Sequence, residues 1–143
     1  MIAALVVAAT MTLKLSGDQS QWNAPVYVNA DISITRKVDF AVDTGAQSYL
    51  MVDAELLYVL YEAGHAHQVA SEPMTGIDGA ISLMPVYELD ELTIGTCHVP
   101  GPLRAHASAS GVNLIGSRLL GELRASVDVG KGTMTFVCPQ VKK

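Results

Sequence analysis

The sequence predicts a mostly-β chain with one or two short helices. Two observations lead there. Apolar and polar residues alternate in several short runs, the period of half-buried strands, and glycine-containing or polar turns separate those runs at hairpin spacing. The stretch 52–66 changes to a helical period. A length of 143 residues suits one domain with a modest core and leaves no room for a second.

In chain order, residues 1–9 form an apolar N-terminal segment ahead of a domain at 10–143. The whole apolar run, MIAALVVAATM, falls far short of the roughly 20 residues that span a bilayer. Its first positive residue, Lys14, follows the run, whereas an export signal carries its charge before it. A starting strand, or the remnant of an upstream segment, is therefore expected; a weak signal or anchor is the alternative. The TMTLKLS stretch at 10–16 alternates, GDQSQ at 17–21 turns, and 26–35 alternates again through Val26, Val28, Ala30, Ile32 and Ile34. Arg36 and Lys37 are read as the next turn, and 38–42 as a short strand ending at Asp43.

The segment 52–66 places Leu56, Leu57, Leu60 and Tyr61 on one helical face, with Asp53 as N-cap and Gly64 as terminator. Residues 67–96 return to extended character around the turn TGIDGA at 75–80. A loop-rich stretch follows, with a strand at about 103–107, and then an apolar strand at 112–116. SRLLGEL at 117–123 makes a turn or two of helix, and ASVDVG with TMTFVC closes the chain as a hairpin around Gly-Lys-Gly.

Half of the residues are apolar, 16% are charged and the formal net charge is -5, so no basic face favours a nucleic-acid backbone. So sparse a charge fits a surface partly buried in an oligomer. Cys97 and Cys138 are the only cysteines. They are read as two half-buried thiols, with a disulfide as the alternative in an oxidising compartment. The cytoplasm is the favoured location, and an exported or membrane-anchored chain the alternative; any membrane association would run through the N-terminal segment.

The chemistry centres on VDFAVDTGAQSYLM, 38–51, where an aliphatic strand runs straight into Asp43-Thr44-Gly45. Gly45 admits a sharp turn or a close backbone approach, and such a turn directs peptide N–H groups at the carboxylate. Thr44 adds a hydroxyl for a local or cross-subunit hydrogen bond.

In this context the chain resembles the retropepsin-like aspartic proteases, specifically the bacterial single-lobe relatives of the retroviral enzymes. Four features carry the resemblance in order: the apolar strand with DTGA at 43–46, the helical ELLYVLYEAG, TGIDGA where a flap hairpin is expected, and LIG at 114–116 followed by SRLLGEL. The preceding TMTLKL and APVYVNADI resemble the strands ahead of DTGA in the bacterial members. Gln47 departs from the pattern, since Ser or Asp more often follows DTGA, and Asp78 stands in a flap tip that is commonly richer in glycine.

The resemblance implies a single acid-protease lobe of closed or orthogonally packed sheets. Asp43, Thr44 and Gly45 would form the catalytic turn. Ala46 with Thr75, Gly76, Ile77, Asp78 and Gly79 would contact substrate. Leu114, Ile115 and Gly116 would support the turn from a psi-shaped loop, Gly116 letting the backbone pass close. The implied activity is aspartic endopeptidase, acting on peptide or protein without cofactor or metal.

That chemistry needs two carboxylates sharing a proton. Asp31, Asp39, Asp78, Asp90 and Asp128 do not repeat the strand–Asp–Thr–Gly pattern. A homodimer supplies the pair, because a residue near a two-fold axis meets its own copy. The C-terminal TMTFVCPQVKK is a candidate for the dimer sheet by the same resemblance. A catalytically weak or inactive peptide-binding or dimerisation domain of the same fold is the alternative, and an unrelated structural β-domain a third.

The remaining candidates are weaker. His65 and His67 form HxH, and His98 and His106 complete the histidines, but no zinc-ligand spacing links them, so surface or loop histidines are expected. Neither a phosphate loop nor a GxSxG elbow occurs. Trp22 is read as a cover for the edge of the first hairpin, with a small-ligand face shared with Tyr27 as the alternative.

Overall fold

The computed structural model describes residues 5–31, 34–108 and 111–142. Its strands are β1 (Leu5–Lys14), β2 (Ser16–Asp18), β3 (Gln21–Asp31), β4 (Ile34–Val42), β5 (Leu50–Asp53), β6 (Ala66–Thr75), β7 (Ile81–Ile94), β8 (Cys97–Ser108), β9 (Leu114–Ile115), β10 (Ser126–Asp128) and β11 (Thr133–Lys142). The helices are α1 (Ala54–Glu62) and α2 (Ser117–Glu122). The mostly-β expectation holds.

Eight strands form one sheet in the order β2-β3-β4-β9-β5-β8-β7-β6. β3 also pairs with β7, through Val26↔Ile94 and Tyr27↔Thr93, which closes the middle of that sheet on itself. The other three strands form a small sheet, β1-β11-β10. The two sheets share one core: Val26, Phe40, Leu50, Leu92 and Ile94 of the large sheet belong to the same buried cluster as Met134 and Phe136 of the small one. Burying each of the two phenylalanines contributes roughly 1.5–3 kcal/mol.

Several boundaries differ from the sequence reading. Arg36 and Lys37 do not turn the chain. They lie within β4 opposite Val28 and Tyr27, with their side chains in solvent. The link between β3 and β4 falls at residues 32–33, so Ile32 and the turn itself lie outside the described residues. The stretch read as loop-rich is the continuous strand β8. Pro100 and Pro102 cluster where the β7–β8 register shifts between Leu89 and Glu91, and a bulge is one of the places where a sheet tolerates proline. The strand expected at 112–116 shrinks to Leu114–Ile115.

Residues 5–9 belong to β1, and residues 1–4 lie outside the described part. Asp53 caps α1, its carboxylate accepting from the Leu56 N–H at 3.3 Å. Gly64 ends the helix one residue beyond the C-cap Ala63, with a φ of 82° that glycine adopts without strain.

The two cysteines are not half-buried thiols. Both are 1% exposed and joined as a disulfide that ties the start of β8 to β11. Their sequence separation of 41 carried no signal of that proximity. No described helix is long and apolar enough to cross a membrane.

Candidate active site

β4 and β5 are consecutive in sequence but not neighbours in the sheet. The chain leaves β4 at Val42, passes through 43–49 and returns in β5, while β9 inserts between the two strands. β9 runs parallel to β4, with Ala41↔Leu114 and Val42↔Ile115, and antiparallel to β5, with Leu50↔Ile115 and Met51↔Leu114. The Asp43 turn is thereby spread across a third strand and held from beneath.

The anchoring is mostly backbone. The Asp43 N–H donates to the Ile115 carbonyl at 3.0 Å, the Ser117 N–H to Ala46 at 2.7 Å and the Gly116 N–H to Tyr49 at 3.0 Å. Asn113 adds a clamp that the sequence did not signal. Its carbonyl accepts from the Ala41 N–H at 2.9 Å, and its side-chain oxygen accepts from the Asp53 N–H at 2.8 Å. One residue thus ties the end of β4 to the end of β5.

Within the turn, the Gly45 and Ala46 N–H groups both donate to Oδ1 of Asp43, at 3.0 and 3.2 Å. Two donors on one oxygen fix the carboxylate and leave Oδ2 outside the turn's hydrogen bonds. Gly45 does not adopt a positive φ, and an added Cβ would meet only Oδ1 of Asp43, at 3.4 Å. The chain's own turn therefore does not demand glycine there. Thr44 is exposed and Asp43 partly exposed.

Asp43 and Thr44 line a cleft of about 520 Å³. One wall is Gln19–Trp22, and the other comes from Ala125, Val127 and Val129. Neither wall was foreseen. Trp22 covers the β10–β11 turn, where a Cβ on Gly132 would come within 2.6 Å of its ring, and its indole N–H donates to the Val129 carbonyl at 3.0 Å. Those partners are 107 residues apart, a contact that local pattern does not encode.

Leu114, Ile115 and Gly116 lie directly against the Asp43 turn. Thr75–Gly79 stand apart from it, at the tip of the β6–β7 hairpin, where the hydrogen bonds are internal. The Gly76 N–H donates to Ala80 at 2.8 Å, the Gly79 N–H to Gly76 at 3.0 Å, and the Ala80 N–H to the Asp78 carboxylate at 3.0 Å. Asp78 is thus a turn-forming residue. Ile77 beside it is wholly exposed, at 110% of its reference area.

His65 lies in the link after α1 and His67 and His98 are exposed, as expected of surface or loop histidines, whereas His106 is mostly buried in β8. His65 and His67 both face Asp90, at 3.8 and 3.3 Å, His98 faces Glu91 at 2.7 Å, and His106 faces Glu72 at 2.9 Å. Among the described residues, no set of three His, Cys, Asp or Glu side chains is placed to hold a metal ion.

No protein-family model and no curated protein matches the sequence. Among solved structures, the chain is similar to a retropepsin-like aspartic protease from Rickettsia conorii, with a TM-score of 0.65 at 16% identity, covering 99% of this chain and 100% of that one. The fold is that of a retropepsin-like lobe.

Proposed function

We propose that the chain is one half of an aspartic endopeptidase that works as a homodimer. The observation that carries this reading is the Asp43 carboxylate, fixed through Oδ1 by two N–H groups of its own turn and set in the wall of an open cleft. The likeness to the Rickettsia conorii protease supports it at the level of fold.

In the dimer, Asp43 of each copy would face the other across a two-fold axis. Two carboxylates at such close range cannot both stay ionised, so they share one proton and titrate as a unit. The ionised member takes a proton from a water held between them as that water attacks the peptide carbonyl. The protonated member donates to the carbonyl oxygen. Thr44, exposed beside Asp43, would brace the two turns across the axis. The β6–β7 hairpins would close over an extended peptide and exclude bulk water.

The test is Asp43→Asn. Peptide cleavage is expected to vanish while the circular dichroism spectrum and the dimer mass in solution stay unchanged. Cleavage that survives the substitution overturns the assignment. A wild-type dimer that binds peptides without cutting them selects the non-catalytic binding domain instead.

A further inference from the structure

β6 and β7 pair along their whole length, from Ala66↔Leu89 to Thr75↔Ile81, but β7 pairs with β8 only from Val86 to Ile94. Beyond Val86 no third strand among the described residues pairs with the hairpin, and 71–85 projects as a two-stranded ribbon. A lone two-stranded ribbon is marginally stable in water. This one is weakened further at its root, where Pro73 and Pro85 supply no N–H to the ladder. Its large apolar side chains, Ile77, Ile81 and Leu83, are exposed and lend it no core.

Glu72 lies at that root, opposite Met84 and beside Pro73. Its carboxylate reaches past β7 to β8, where it accepts from the Arg104 guanidinium and pairs with Nε2 of His106 at 2.9 Å. His106 stands where the β7–β8 ladder ends, opposite Val86, and opposite Met51 of β5 on its other side. A carboxylate can only accept, so the ring presents Nε2–H to Glu72. Nδ1 is buried without a hydrogen-bond partner among the described residues, the position a bare lone pair tolerates better than a second N–H. His106 thus meets Glu72 through Nε2 and turns its unpartnered Nδ1 into the interior.

We propose that Glu72 is the latch of this hairpin, a positioning residue that pins the root to Arg104 and His106 and sets the hinge just beyond itself, so that 73–83 moves while the rest stays with the eight-stranded sheet. The effect on catalysis rests on reading the hairpin as the cover of the Asp43 cleft. The latch itself does not.

The latch opens in acid. The charged and titratable groups around Glu72 are Arg104 and His106 on β8 and Glu88 on β7, which stands opposite Arg104; Met51 of β5 is uncharged. The hydrogen bonds from His106 and then Arg104 hold the Glu72 carboxyl below its ordinary value. A carboxyl depressed in the folded state contributes stability above its unfolded pKa and loses it as pH falls through the folded one.

Amide hydrogen exchange on the full chain tests this without requiring catalysis. Glu72→Ala at neutral pH is expected to speed exchange across 70–85 about two- to fivefold, the range for a solvent-accessible ion pair, with 21–31 and 97–108 unchanged. In the wild type, hairpin exchange relative to those strands should rise as pH falls from the ordinary carboxyl range to below it. Glu72→Ala should show no such rise. An unchanged hairpin, an equal change throughout the chain, or a flat pH response in the wild type overturns the latch. A latch that passes in a chain that cleaves no peptide stands, and the peptidase reading alone falls.

Discussion

A Cβ placed on Gly116 would stand 1.9 Å from the carbonyl oxygen of Ser48 and 2.6 Å from its carbonyl carbon. Two backbone segments, the far end of the Asp43 loop and the entry to α2, touch there with no room for a side chain. Gly116 has an ordinary φ of -88°, so space, not backbone conformation, makes it a glycine.

Gly116→Ala should therefore destabilise the fold by about 2–3 kcal/mol, the usual cost of overpacking where the obstacle is backbone. Gly121→Ala is the control. It lies in α2 with nothing within 4 Å of the new methyl and should stabilise by about 0.5–1 kcal/mol. Urea unfolding of the two variants should give shifts of opposite sign, and matching shifts would refute the packing claim.

The Cys97–Cys138 bridge closes a loop across a separation of 41 residues. By the chain-entropy estimate it contributes about 4 kcal/mol, mostly by restricting the unfolded chain. Replacing both cysteines by alanine should lower Tm by about 10–15 °C. Bridges of this kind persist in oxidising surroundings. The purified native protein should accordingly resist alkylation until it is both unfolded and reduced. A thiol that reacts in the unfolded, unreduced chain would contradict the pairing.

Tyr49 donates its hydroxyl to the Glu122 carboxylate at 2.5 Å, behind the Asp43 loop. Burial first, then this hydrogen bond and the neighbouring negative charge, push its ionisation well above the ordinary tyrosine range. A group with a raised folded pKa contributes stability below its unfolded pKa and loses it as pH rises beyond. Stability should thus decline above about pH 10, where the unfolded tyrosine begins to ionise. Tyr49→Phe should flatten that decline. In the folded wild type, ultraviolet titration should show a late tyrosine ionisation that Tyr49→Phe removes, and its absence would remove this pair from the account.

Much of the fold was legible because its signals are local. Asp53 three residues before Leu56 marks a cap, and Val26 and Val28 on one face of β3 mark a strand whose buried side chains alternate. The same logic failed at Arg36 and Lys37. Charge on the solvent face of a strand looks the same, one residue at a time, as charge in a turn. It failed again at Pro100 and Pro102, since a register shift opposite them depends on another strand. Of the candidate site, Asp43 stood out in the sequence because an acid directly after an aliphatic strand is unusual. Asn113, Trp22 and Val129 did not, because an asparagine, a tryptophan and a valine in those positions look ordinary until their partners are known.

The periodicities, the cap of α1, the turn at 75–80 and the one Asp-Thr-Gly are legible in residue order alone, since all of them are properties of residues a few positions apart. That Cys97 meets Cys138, that Trp22 walls the cleft with Val129, and that Glu72 reaches past a strand to Arg104 and His106 emerges once the chain is folded. Backbone period is written in adjacent residues, but a contact between strands depends on sheet order and register. Those are settled only when the whole core packs at once.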